Sequence, residues 1–384
     1  MAISLGGYRT NSRRPYLLCI AALLLFCLGY SAYFLPLLHP RSLCAHGFRT
    51  YPQSSTQSSQ EQAPSVKIIE QYLEQEPEAT LEVEAPKEKE SSLPKQRGQP
   101  FSFTNLDKES SNKRVLILTP LKDATPYLER YFELINRTTY PNQDISIAFL
   151  VSDSQDDTLE MLQTYARKMQ EGPNPFHDIR IFQKDFNFEL PPLERHRFEM
   201  QPFRRSIMAR SRNMLLSSAL TDDTDWVAWI DVDVIEYPST IFQDLMSVDV
   251  DIVVPNCFLS KKEGQKESKP YDKNNWQETS KSLEIQKAFD PEFVMAEGYK
   301  ELETGRNLLV DMPKHLGLNY RVPLDGVGAT FTLVKAHVHR AGANFPAFPY
   351  KHQVETEGFA KIAKDMGFSV YGVPGYIIYH IKND

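Results

Sequence analysis

Two aspartates one residue apart, Asp231 and Asp233, follow the apolar run WVAWI in the string WIDVDVIE. Carboxylates at i and i+2 around the end of a strand can share a hard divalent cation, and such cations commonly sit beside phosphates. An isolated D-x-D is a weak signal, because charged residues often close strands. Its place after a hydrophobic strand gives it weight. Asp153 closes ISIAFLVSD in the same manner. In open α/β sheets, ligands gather beyond the carboxyl ends of the strands, and all three acids fall there. Phosphatases with an aspartyl nucleophile carry a related D-x-D-x-T string after their first strand. Position 235 is Ile here and the pair follows a fourth strand, so that reading is poor. Arg204, Arg205 and Arg212 precede the pair. Their planar forks suit phosphate through paired hydrogen bonds; a helix face of solvated arginines is the alternative.

The elements that must position these residues can be read from apolar spacing. Val115 to Thr119 (VLILT) has the form of a strand buried on both faces, which Pro120 is expected to end. Thr125-Pro126 starts a helix, with the hydroxyl as cap, and Leu128, Phe132 and Ile135 follow at helical spacing. A strand ending at Asp153, the amphipathic helix SQDDTLEMLQTYARKM and a strand from Ile179 to Gln183 come next. A helix from about Arg205 to Leu220 then leads to the strand Trp226–Asp231. Strands alternating with helices predict a parallel α/β sheet with helices on both faces. Residues 113–384 form one enzyme-sized unit in this reading.

Over the whole chain of 384 residues, hydrophobic types make up 41% and charged types 24%, an ordinary globular composition. The net charge of −7 excludes bulk attraction to nucleic acid. The uncharged stretch Tyr16 to Leu35 has about the 20 residues that a helix needs to cross ~30 Å of hydrocarbon. Arg9, Arg13 and Arg14 precede it, so the positive-inside rule keeps residues 1–15 cytosolic and sends the remainder into the secretory lumen. A cleaved signal peptide fits less well, because the apolar core is long and no A-x-A-like site follows. Residues 36–112 are rich in Gln, Ser, Glu, Lys and Pro and read as an extended stem. Cys19 and Cys27 fall inside the span. Cys44 and Cys257 could pair or stay as two free or intermolecular thiols. Asn136-Arg137-Thr138 is the only N-x-S/T sequon.

From about Arg114 to Asn383 the chain resembles the fungal Golgi α-mannosyltransferases of mannan polymerase, glycosyltransferase family 62. The likeness runs in order through VLILTPLKDATPYL, IAFLVSDSQDDTL, FRRSIMARSRN, WVAWIDVDV, KPYDKNNW, MAEGYKE, PLDGVGAT, NFPAF, ETEGFAKIAKDMGFSVYGVPGY and IIYHI. The resemblance implies a GT-A fold, Rossmann-like with a mixed sheet, behind a type II Golgi membrane anchor. It also implies a manganese ion and GDP-mannose as donor. Transfer to mannose-terminated N-glycan acceptors would retain the α configuration, with α-1,6 linkages favoured over α-1,2. Homologous subunits of a hetero-oligomeric mannan polymerase complex are the implied partners. A non-catalytic scaffold subunit and a GT-A transferase using another nucleotide sugar are the alternatives.

The same resemblance assigns roles. Asp231 and Asp233 would bind the metal together with His380 of IIYHI. The backbone at Pro120 and Leu121, and Asp153, would line the nucleoside pocket. Arg212 and Asn213 would face the diphosphate; the family's ARN reads SRN here. Asp325, flanked by Gly326 and Gly328, would reach mannose hydroxyls. Glu355 and Glu357 open a helix where such enzymes hold an acceptor-side carboxylate, although acids at a helix start also favour its dipole. Tyr271, Asp272 and Trp276 read either as an acceptor platform or, for Trp276, as a core anchor. Lys261–Lys269 reads as a surface loop.

Overall fold

A computed structural model describes residues 113–382, apart from 192–193, 262–267 and 318, together with two-residue strands at Lys67–Ile68 and Gln99–Pro100. The expected anchor at 16–35, nearly all of the stem, and Cys19, Cys27 and Cys44 lie outside these residues. Among the described residues no helix is long and apolar enough to cross a membrane.

Three strand–helix units open the fold. They are β1 (Val115–Leu121) with α1 (Leu128–Asn136), β2 (Ile145–Val151) with α2 (Thr158–Gln170), and β3 (Asp178–Gln183) with α3 (Gln201–Ala219). Then come β4 (Trp226–Ile230), β5 (Val234–Glu236), α4 (Ile241–Met246) and β6 (Ile252–Leu259). A two-stranded excursion, β7 (Trp276–Gln277) and β8 (Asn307–Leu308), brackets α5 (Ser280–Gln286). The chain finishes with β9 (Tyr320–Pro323), β10 (Phe331–Lys335), α6 (Ala336–Arg340), α7 (Glu355–Asp365) and β11 (Val370–His380).

Among the described residues, eleven strands make one mixed sheet, ordered β3-β2-β1-β4-β10-β6-β11-β9, with β5 also paired to β11 and the two short strands at the flanks. β1 to β4 are parallel, as their intervening helices require. β10 runs antiparallel between β4 and β6, and β11 is parallel to β6. The parallel sheet expected from the alternation of strands and helices thus holds only for β1 to β4; the antiparallel β10 and β9 make the fold mixed α/β.

Continuous apolar runs let successive residues feed cores on both faces of the sheet. Ile117, Ile147 and Phe149 join Leu128, Phe132 and Leu162 on one side. Leu116, Leu118 and Leu150 join Leu215, Trp229 and Phe359 on the other. Two sequence boundaries need correction. β1 does not stop at Pro120 but runs to Leu121. Its pairing with β4 ends at Leu118, so a residue without an N–H sits where β1 has only β2 for a neighbour. The helix predicted from Thr125 begins as one 3-10 turn before α1.

Candidate active site

The Asp-x-Asp segment is the tight link between β4 and β5. Asp231 N–H donates to the Thr330 carbonyl at 3.1 Å, which ties the end of β4 to the approach to β10. β5 then pairs with the end of β11 in the register His380↔Val234, and this pairing carries His380 to the acidic pair. His380 Nε2 and Asp233 Oδ1 are 2.8 Å apart. The Tyr271 ring stacks on the imidazole at 3.8 Å between centroids. Burial alone would lower the His380 pKa, but the hydrogen bond and negative charge of Asp233, with help from the Ile381 carbonyl and Asp231, together hold the ring above its ordinary value.

Asp231 faces a different partner. Arg212 Nη2 donates to its Oδ1 at 3.3 Å. Burial pushes the Asp231 carboxyl up to about 7, with Arg212 opposing the rise and Asp233 adding to it. Among the described residues no three His, Cys, Asp or Glu side chains converge as a metal cluster. Two of the three expected ligands nevertheless face each other, and the third lies two residues away. Two carboxylates and an imidazole, brought together, would be a donor set suited to a divalent cation.

Arg205 and Arg212 lie two turns apart on the buried face of α3, whose buried positions include Gln201, Arg205, Ala209, Arg212 and Leu216. Each meets a glutamate from the first turn of α7. Arg212 Nε donates to Glu355 Oε1 at 2.9 Å, and Arg205 Nη1 pairs with Glu357 Oε2. Glu357 is wholly buried and also accepts from Trp276 Nε1 at 2.8 Å. Burial raises its pKa against the opposing charges of Arg205 and Arg306. The Arg306 guanidinium lies 3.7 Å over the Trp276 ring. Trp276 is thus a core anchor rather than a platform, with no exposed face. Gly358 permits the close approach of α7 to the NFPAF segment, since a Cβ there would meet Pro346 Cγ at 2.4 Å.

The other expected site residues are distributed as follows. Asn213 clamps Phe345, donating to its carbonyl at 2.7 Å and accepting from its N–H at 3.0 Å. The Asp153 carboxylate accepts from the backbone N–H groups of Phe186 and Asn187. Pro120 and Leu121 form the end of β1, where the Leu121 carbonyl accepts from Ser152 N–H at 3.0 Å. Asp325 accepts from Glu278 N–H at 2.7 Å and pairs with Lys364 at the far end of α7. At 1.5 Å per residue, roughly 13 Å of helix separates Lys364 from Glu355, so Asp325 does not join the Asp231 group.

Three non-glycine residues with left-handed backbones, Asp123 (φ 48°), Asp153 (φ 49°) and Asn187 (φ 53°), follow the carboxyl ends of β1, β2 and β3. Such conformations concentrate at functional loops. Asp272 is a further buried acid beside this group. It accepts from Thr330 Oγ1 at 2.9 Å, and burial lifts its pKa despite its hydrogen bonds. A Cβ at Gly328 would strike its carboxylate at 2.0 Å.

This arrangement defines a mixed α/β protein with a cluster of charged side chains beyond the carboxyl ends of its parallel strands. The Anp1 family model matches residues 101–349, and the chain belongs to the Anp1 family. It is 41% identical over 278 residues to the mannan polymerase II complex anp1 subunit of Schizosaccharomyces pombe, covering 71% of this chain and 65% of that protein. The mannan polymerase complex subunit MNN9 of Candida albicans is 38% identical over 301 residues, covering 75% and 81%. For the mannan polymerase II complex ANP1 subunit of Saccharomyces cerevisiae the identity is 38%, covering 72% and 57%. The chain thus spans less than two thirds of two of these three relatives. Among solved structures, the mannosyltransferase PcManGT from Pyrobaculum calidifontis, in complex with GDP-Man and Mn2+, overlaps with a TM-score of 0.41 at 13% identity. That alignment covers 76% of this chain and 61% of that one, too loosely for residue roles to be carried across.

Proposed function

We propose that the protein is a metal-dependent mannosyltransferase of GT-A type that takes mannose from GDP-mannose and forms α-mannosidic bonds with retention. The acceptors are mannose-terminated N-glycan chains, and α-1,6 is the preferred linkage. The observation that carries the reading is the meeting of Asp233 with His380, two residues from an Asp231 that Arg212 engages, beyond the parallel strands. Asp231, Asp233 and His380 would hold the ion. It would neutralise the charge that develops on the leaving diphosphate. Arg212 adds a fixed positive charge beside Asp231, and the ends of β1 and β2 offer backbone for the nucleoside. Kinship with mannan polymerase subunits supports mannose as the sugar and a hetero-oligomeric assembly as the setting. The apolar stretch at 16–35 supports a Golgi type II placement with the sheet domain in the lumen.

A second reading, a scaffold subunit with weak or no catalysis, is favoured by one observation. The Asp231 carboxylate is committed to Arg212 and does not converge with Asp233 and His380. Calorimetric titration of GDP-mannose with and without manganese separates the two, with UDP-sugars as controls. Manganese-dependent binding of GDP-mannose alone is expected. A folded protein that binds no nucleotide sugar would overturn the transferase reading in favour of the scaffold.

A further inference from the structure

Arg212 is 2% exposed, and its guanidinium is only partly satisfied. Nε donates to Glu355 and Nη2 to Asp231, while Nη1 is buried and makes no hydrogen bond. The rings of Trp229 and Phe345 lie 5.3 and 5.7 Å from the guanidinium carbon. A buried cationic N–H without an acceptor is unfavourable in a completed core. Beside Asp231, beyond the carboxyl ends of the parallel strands, it points to an anion that arrives with a ligand.

The guanidinium is held from α7. Glu355 is the first residue of the helix, 4% exposed, with a left-handed backbone at φ 61°. Its N–H donates to the Pro346 carbonyl at 2.9 Å, and Asn213 clamps the neighbouring Phe345 backbone from α3. A strained residue persists where its surroundings over-determine it, and here they deliver one carboxylate oxygen to Arg212 Nε.

We propose that Glu355 is a positioning residue: it holds Arg212 by Nε and so presents Nη1 to the diphosphate of the nucleotide-sugar donor. This rests on the nucleotide-sugar reading above. It departs from the sequence expectation that Glu355 touches the acceptor.

The test is calorimetric titration of GDP into the full chain and the variants Arg212→Ala, Glu355→Ala, Glu355→Asp, Glu355→Gln and Arg212→Ala/Glu355→Ala, with thermal melts confirming folding. Arg212→Ala and Glu355→Ala are each expected to weaken GDP binding about tenfold or more, and the double variant no further than Arg212→Ala alone. Glu355→Asp, one methylene short of Nε, should lose about as much as alanine. Glu355→Gln retains an oxygen that can accept from Nε and should stay within about threefold of wild type. Wild-type GDP affinity in both Glu355→Ala and Glu355→Asp, with loss in Arg212→Ala, would overturn the positioning role and leave the nucleotide reading intact. A loss in Glu355→Ala that adds to that of Arg212→Ala would also overturn it. Failure of the folded wild-type protein to bind GDP would instead remove the reading on which the proposal stands.

Discussion

At the scale of single residues, two histidines in similar burial have opposite electrostatics. His380 is hydrogen-bonded to Asp233 and kept above the ordinary histidine range. Asp233→Asn and His380→Gln should each abolish the manganese-dependent part of GDP affinity while leaving the metal-free part, as titration with and without the ion will read. His339 is locked neutral: Trp229 Nε1 donates to its Nε2 at 3.2 Å, and its Nδ1 lies 2.8 Å from the Ala343 carbonyl. Burial pushes its pKa down to about 4. The folded state therefore binds fewer protons than the unfolded one between pH 6.5 and 4. The stability due to neutral His339 is complete above pH 6.5 and falls by about 3 kcal/mol as pH drops toward 4. His339→Gln should flatten that part of a pH series of denaturant midpoints. The Asp-x-Asp was legible from its strand and its spacing. The neutral lock on His339 was not, because its partner Trp229 is 110 residues away in sequence.

At the scale of elements, α3 and α7 are joined by two buried arginine–glutamate pairs, and Trp276 and Arg306 close around one of them. Removing one member of a buried pair leaves the other charge uncompensated. Glu357→Ala should cost about 3–5 kcal/mol in chemical denaturation. The arginine-rich helix could be located from sequence, but whether its arginines faced solvent or core could not. Helical spacing puts Arg205 and Arg212 on one face, yet only the packing of α7 decides that this face is covered. The first parallel strands were readable for a related reason: their apolar runs are local signals. β10 is short and antiparallel, and it earns its place only through long-range pairing with β4 and β6, so it was missed.

At the scale of the whole molecule, the candidate site and the sequon lie at opposite ends of the sheet. Asn136 ends α1, the helix that returns from the carboxyl end of β1 toward the amino end of β2, and its side chain accepts from Asn142 at 3.2 Å. A glycan there would stand clear of Asp231 and His380. With the lumenal placement proposed above, the protein should carry one endoglycosidase-sensitive glycan, and Asn136→Gln should abolish the mobility shift. The order of the strands has another consequence. β11 is the last strand of the described chain, yet it pairs with β6, β9 and β5 inside the sheet, and its final residue is His380. A nascent chain emerges amino end first, so β1 to β4 can assemble while the slot between β6 and β9 stays open. Asp233 can therefore meet His380 only after β11 has filled that slot. The Asp233–His380 pair is thus a reporter of whether β11 has docked, set by long-range strand pairing rather than by local structure.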